Sequence, residues 1–172
     1  LLLFLHTWRN VIIVIVAIPT SLISTYLVMM ALGFSLNTIS LMALALTIGI
    51  LVDDSIVVLE NIHRHLRLGE QPIMAALSGR SEIGLAAIAI TLTDVVVFIP
   101  VAFMQGNTGR LFREYGLTIA AATLFSLFVS FTLTPMLASR WLKSGNENGR
   151  NNFWSRFSRA WERNFDRLAS GY

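Results

Sequence analysis

The chain has 172 residues, of which 13% are charged and 55% hydrophobic, and its formal net charge is +3. Soluble domains carry roughly a quarter charged residues, so this chain lacks the polar surface to cover its apolar groups in water, and a soluble enzyme, a coiled coil and a disordered tail are excluded. There is no cysteine, which excludes disulfides, thiolate metal sites and a cysteine nucleophile and leaves the redox compartment undetermined.

The first segment, residues 1–5, is wholly apolar and follows neither an initiator Met nor a basic signal region. It reads as the end of a helix, and the chain as a piece of a longer polypeptide. A helix crossing ~30 Å of hydrocarbon needs about 20 apolar residues, and four windows of that length follow. Residues 11–32 carry no charge, 40–59 carry Asp53 and Asp54, 83–104 carry Asp94, and 117–139 carry none. The fold class predicted is therefore all-α and membrane-spanning, with a transmembrane segment over 1–143. Pro19, Pro100 and Pro135 lie in or near these spans and predict kinks rather than breaks, because neighbouring helices can satisfy the freed carbonyls. The connections, 33–38, 61–82 and 105–116, are too short to fold as domains. Residues 144–152, rich in Gly, Asn and Ser, read as a flexible linker. Beyond them, Phe153, Trp154, Phe157, Ala160, Trp161, Phe165 and Leu168 recur at helical spacing opposite Arg156, Arg159, Arg163 and Arg167. That pattern predicts an amphipathic helix over 153–169, lying in the interface against anionic membrane lipid.

Orientation follows from the basic residues, which are retained on the cytoplasmic side. Arg9, Arg64, Arg67, Arg80, Arg140, Lys143, Arg150, Arg156, Arg159, Arg163 and Arg167 fall on one side, and only Arg110 and Arg113 on the other. The connection 61–82 and the chain after span four are thus expected in the cytoplasm, and the two short connections outside. Trp8, Trp141 and Tyr115 mark span ends. The positive charge is a topology signal, and no nucleic-acid motif accompanies it.

Asp53 and Asp54 are the most informative residues. An Asp at a helix centre costs ~2.5–3.5 kcal/mol to insert, so the pair costs about 5–7. The 11 Leu, Ile and Val residues of 40–59 return about 0.3–0.6 kcal/mol each. Insertion is close to break-even, and the acids are expected to face protein or a water-filled path. Two carboxylates so close do not ionise freely together, which suits a proton relay; the structural alternative is neutralisation by a fixed basic partner, and no Lys or Arg lies inside any span. Ala45 and Gly49 precede Asp53 at steps of four and form a small-residue groove for another helix. Thr47 and Asn61 lie seven residues to either side of Asp54 and extend its stripe as a hydrogen-bonding track. Asp94, in TLTD at 91–94, is an auxiliary proton-binding group or is hydrogen-bonded to Thr91. His63 and His65 point apart at i, i+2, with no third ligand, and are expected to be solvated rather than to hold a metal. Glu60 is expected to pair with Arg64 at i+4. Neither a catalytic centre nor a cofactor is expected, the energy source being the proton gradient.

The run GILVDDSIVVLENI at 49–62 resembles the fourth transmembrane helix of the resistance-nodulation-cell division (RND) transporters, in particular their hydrophobe and amphiphile efflux branch. VFIPVAF at 97–103, GNTG at 106–109 and LTP at 133–135 are similar to the family's fifth helix, following loop and sixth helix, in the same order. The resemblance runs from the end of helix two to the amphipathic helix before helix seven, half of a six-helix repeat and its flanks. It implies that Asp53 and Asp54 are the relay acids of a drug/proton antiporter in the bacterial inner membrane, paired with a lysine of the second repeat. It further implies a homotrimer joined to a periplasmic adaptor and an outer-membrane channel, with the substrate-binding domains elsewhere in the polypeptide. Such a chain holds half of a coupling site and alone transports nothing. Asp94 departs from the family, where a small or hydroxyl residue is more usual. Competing readings keep the superfamily but change the cargo to heavy metal ions, lipids or assistance to protein translocation, or make the unit a lipid-sensing module. An intramembrane aspartyl protease is disfavoured, because TLTD lacks the glycines of that motif.

Overall fold

The structure, a computed structural model, describes residues 8–106 and 108–142. The stub 1–5, the linker 144–152 and the amphipathic segment 153–169 lie outside the described residues. Within them are four helices, α1 Trp8–Ala31, α2 Thr38–Arg67, α3 Pro72–Ala102 and α4 Gly109–Trp141, and no strand. Each is long and apolar enough to cross a membrane. All three prolines are accommodated inside continuous helices.

Local chemistry sets the ends. Asn37 caps α2 by accepting from the amides of Ile39 and Ser40, while the Ser40 hydroxyl accepts from the Asn37 amide, so these N–H groups at the start of the helix are satisfied. Pro72 opens α3, where its missing N–H costs nothing. The turn between α2 and α3 passes through Gly69 at φ 92°, a conformation that favours glycine. Most of the expected connection 61–82 is therefore helix. The apolar runs end, but α2 and α3 continue past them as a hairpin with polar faces and leave only residues 68–71 as a turn.

Helix α4 is the centre of the bundle and touches the other three. Small residues admit these contacts. A Cβ on Gly116 would lie 2.7 Å from the Phe98 carbonyl of α3, and one on Gly79 of α3 would lie 2.9 Å from the Ile62 backbone of α2. The principal core gathers Ile13 and Val14 of α1, Val58, Leu59, Ile62 and Leu66 of α2, Ala75 and Ala76 of α3, and Ala138 and Leu142 at the close of α4. All of these sit toward the arginine-rich ends of the helices. Elsewhere, large apolar side chains such as Leu85, Phe103 and Met30 face outward, as suits helices surrounded by hydrocarbon or by further helices.

Candidate functional site

Asp53 and Asp54 lie midway along α2 and address different surroundings, as adjacent helical positions must. Asp54 is half-buried and turns into the bundle, where the Ser126 hydroxyl of α4 donates to its Oδ2. Asp53 is exposed and turns outward. Ala45 and Gly49 lie on the same exposed face, and a Cβ on Gly49 would meet nothing within 4 Å. Ala45, Gly49 and Asp53 thus share an open face of α2.

Asp94 of α3 is half-buried and close enough for its charge to act on Asp54. Three acids from two helices and a hydroxyl from a third therefore share one region. Ser55, the residue after Asp54 on α2, and Ser130, one turn beyond Ser126 on α4, bring their hydroxyls together at 3.2 Å. Three expectations are corrected here. Thr47 does not extend a bonded track from Asp54, since its hydroxyl donates to the Leu44 carbonyl. Asn61 donates to the Gly79 carbonyl and to Glu82. Thr91 does not bond Asp94, and its buried hydroxyl has no partner. Ser126 was not singled out from sequence, although Ser126, Ser130 and Thr134 recur at steps of four in an otherwise apolar span.

A second polar group closes the α2–α3 hairpin beyond the apolar runs. His65 Nδ1 lies 2.7 Å from Glu70 Oε1 and Nε2 lies 2.9 Å from Glu82 Oε2. Arg64 reaches Glu82 at 3.1 Å and Asn61 donates to it at 3.1 Å. A neutral imidazole has one N–H, so two carboxylate partners favour the imidazolium: the bonds to Glu70 and then Glu82 push the His65 pKa up. In return, His65 holds Glu70 below its ordinary range, and His65, Asn61 and Arg64 bring Glu82 down to about 2. These contacts overturn two expectations. His65 is not solvated but 13% exposed between two acids, and His63 meets Asn10 of α1 at 2.6 Å. Arg64 turns to Glu82 across the hairpin and not to Glu60 on its own helix. Among the described residues no group of His, Cys, Asp and Glu is placed to hold a metal ion.

Four long apolar helices packed together, with carboxylates inside the apolar runs of two of them, define a multi-pass membrane protein. A family model described as the AcrB/AcrD/AcrF family matches residues 1–172, and the chain belongs to that family. It is an RND-type transporter membrane segment, and the family is one of transporters rather than enzymes.

Proposed function

We propose that this chain is part of the membrane domain of a proton-driven efflux pump for hydrophobic and amphiphilic drugs in the bacterial inner membrane, with Asp53 and Asp54 as its proton-relay acids. The observation that carries this reading is the split environment of the pair. Asp54 is engaged from inside by Ser126, while Asp53 lies on the open face that it shares with Ala45 and Gly49. Intramembrane acids are expensive and ordinarily meet a partner, so the outward Asp53 calls for one from outside these four helices. A lysine of a second repeat in the same polypeptide supplies the charge that fits. Protonation of the acids would release that lysine and change how the helices meet, which is how a charge moving down the membrane potential, at about 2.3 kcal/mol per 100 mV, does mechanical work. Asp94 is an auxiliary proton-binding group of the same region. The arginine-rich helix ends face the cytoplasm. In the complete pump, the homotrimer, the periplasmic adaptor and the outer-membrane channel are assigned on family grounds.

The test is dye export by the full-length transporter in a pump-deficient bacterium, with Asp53→Asn and Asp54→Asn at matched membrane expression. These substitutions keep shape and remove the ionisable proton. Loss of export in both variants supports the relay. Export at the wild-type rate in either removes that residue from it, and a wild type that exports no dye moves the cargo toward metal ions or lipids.

A further inference from the structure

The polar residues at the arginine-rich end of the α2–α3 hairpin take no part in the relay, yet they fix how the two acid-bearing helices meet. Gly79 of α3 sits against the Ile62 backbone, and Asn61 donates to the Gly79 carbonyl at 2.8 Å. One turn nearer the tip, His65 stands between Glu70 of the turn and Glu82 of α3. Further along the spans, α2 carries Asp54 and α3 carries Asp94, whose charges act on each other. Proton uptake by either acid therefore changes the force between α2 and α3. The two helices can answer it only as far as their joined ends allow.

His65 joins those ends completely in one protonation state only. The imidazolium donates from Nδ1 to Glu70 and from Nε2 to Glu82, whereas the neutral ring has a single N–H. Either neutral tautomer leaves a bare nitrogen facing a carboxylate oxygen, at 2.7 Å on one side or 2.9 Å on the other. Two acceptors that close repel, so one side of the clasp must part. The neighbouring groups do not replace it. Arg64 of the same helix reaches the other oxygen of Glu82, Ser78 of α3 bonds Glu70, and Arg67 and Arg80 are exposed. On the side of α1, Arg9 donates to the Trp141 carbonyl at the close of α4 and His63 meets Asn10, while Arg140 of α4 is exposed. The charges acting on the ring are those of Glu70 and Glu82, whose hydrogen bonds raise its pKa above 6.5. A histidine shifted in this way changes charge near physiological pH.

We infer that His65 is a cytoplasmic pH gauge, which fastens α2 to α3 when both ring nitrogens are protonated and so slows the transport cycle as the cell interior acidifies. The inference rests on the relay and orientation proposed above, which place the acids on helices that must shift and the clasp on the side where the carried protons arrive. A falling interior pH protonates His65, and both carboxylates are held. A rising one leaves one carboxylate unheld and frees α3 to move against α2. The clasp thereby acts as negative feedback on proton entry.

The experiment is dye transport by the full-length transporter in proteoliposomes, with the pH on the cytoplasmic side varied and that on the outer side clamped, for wild type, His65→Gln, His65→Arg and Asp54→Asn. Cytoplasmic pH also alters the driving force, so each variant is read as its rate relative to wild type at the same pH. Gln does not titrate and donates to one carboxylate, whereas Arg keeps its charge and several donors at every pH. A gauge predicts that His65→Gln runs several-fold faster than wild type when the cytoplasmic side is acidic and equally fast when it is alkaline. It predicts that His65→Arg matches wild type in acid and is several-fold slower in alkali. Ratios that do not change with cytoplasmic pH, or that follow the outer pH instead, overturn the gauge. The clasp is also watched without relying on transport, by spin labels on cysteines replacing the exposed Arg67 and Leu77. With His65 present the labels should move apart as the pH rises through its titration, and with His65→Arg they should not. A distance that stays constant with His65 present overturns the proposal whatever the variants transport. Asp54→Asn separates the two readings. If it abolishes transport while the His65 ratios stay flat, the gauge fails and the relay stands; if it transports normally, the relay itself fails.

Discussion

Ser126 holds Asp54 by a hydroxyl donated from the central helix, and a hydrogen bond to a charged group contributes about 1.5–3 kcal/mol. Ser130, one turn further, meets only the Ser55 hydroxyl. Ser126→Ala is therefore expected to lower dye export by the full-length transporter clearly, and Ser130→Ala to leave it close to wild type at matched expression; equal effects would remove the special role of Ser126. The two acids were legible in the sequence because a charge in an apolar run is conspicuous. Their partner was not, since a serine in a span costs little and usually satisfies itself on its own helix. The same limit explains the Arg64 and His65 readings. Sequence spacing gives neighbours on one helix, such as Glu60 and Arg64, whereas Glu82 approaches only once α3 folds back on α2.

At the scale of elements, the α2–α3 hairpin depends on a glycine contact and an ionic clasp. A Cβ on Gly79 would lie 2.9 Å from the Ile62 Cα and amide nitrogen, backbone atoms that cannot swing away. Gly79→Ala is expected to destabilise the hairpin by about 1–3 kcal/mol, seen as a lower melting temperature in detergent. The clasp adds a pH dependence. His65 has its pKa raised above 6.5, so its contribution is complete below that value and is lost as the pH climbs through the folded-state pKa. Glu82, lowered from 4.5 to about 2, contributes above 4.5 and loses its share as the pH falls toward the folded value. The two windows overlap between 4.5 and 6.5. The stability difference between wild type and His65→Ala should peak there and shrink on both sides, as thermal unfolding across pH will show. A difference independent of pH would mean that His65 acts by packing alone.

For the whole molecule, the number and type of helices were written in the apolar windows, because lipid leaves helix as the way to satisfy a lone backbone segment. Which faces meet was not, because these spans are apolar nearly all round. The packing became visible only where small residues let backbones approach, at Gly79 and Gly116. Gly49 is the instructive contrast. It has the same residue type, yet its Cβ direction is open, on the exposed face shared with Ala45 and Asp53. Nothing inside the four helices needs a glycine there. Gly49→Leu is accordingly expected to leave these helices folded and the protein inserted in the membrane at wild-type levels, yet to abolish dye export by the full-length transporter by holding off the helix that meets Asp53. Gly49→Ala, which adds one methyl, should be milder. Cross-linking between a cysteine at position 49 and cysteines placed along the second repeat checks the geometry directly. Wild-type export by Gly49→Leu would mean that the face is covered by lipid and that Asp53 finds its partner by another path.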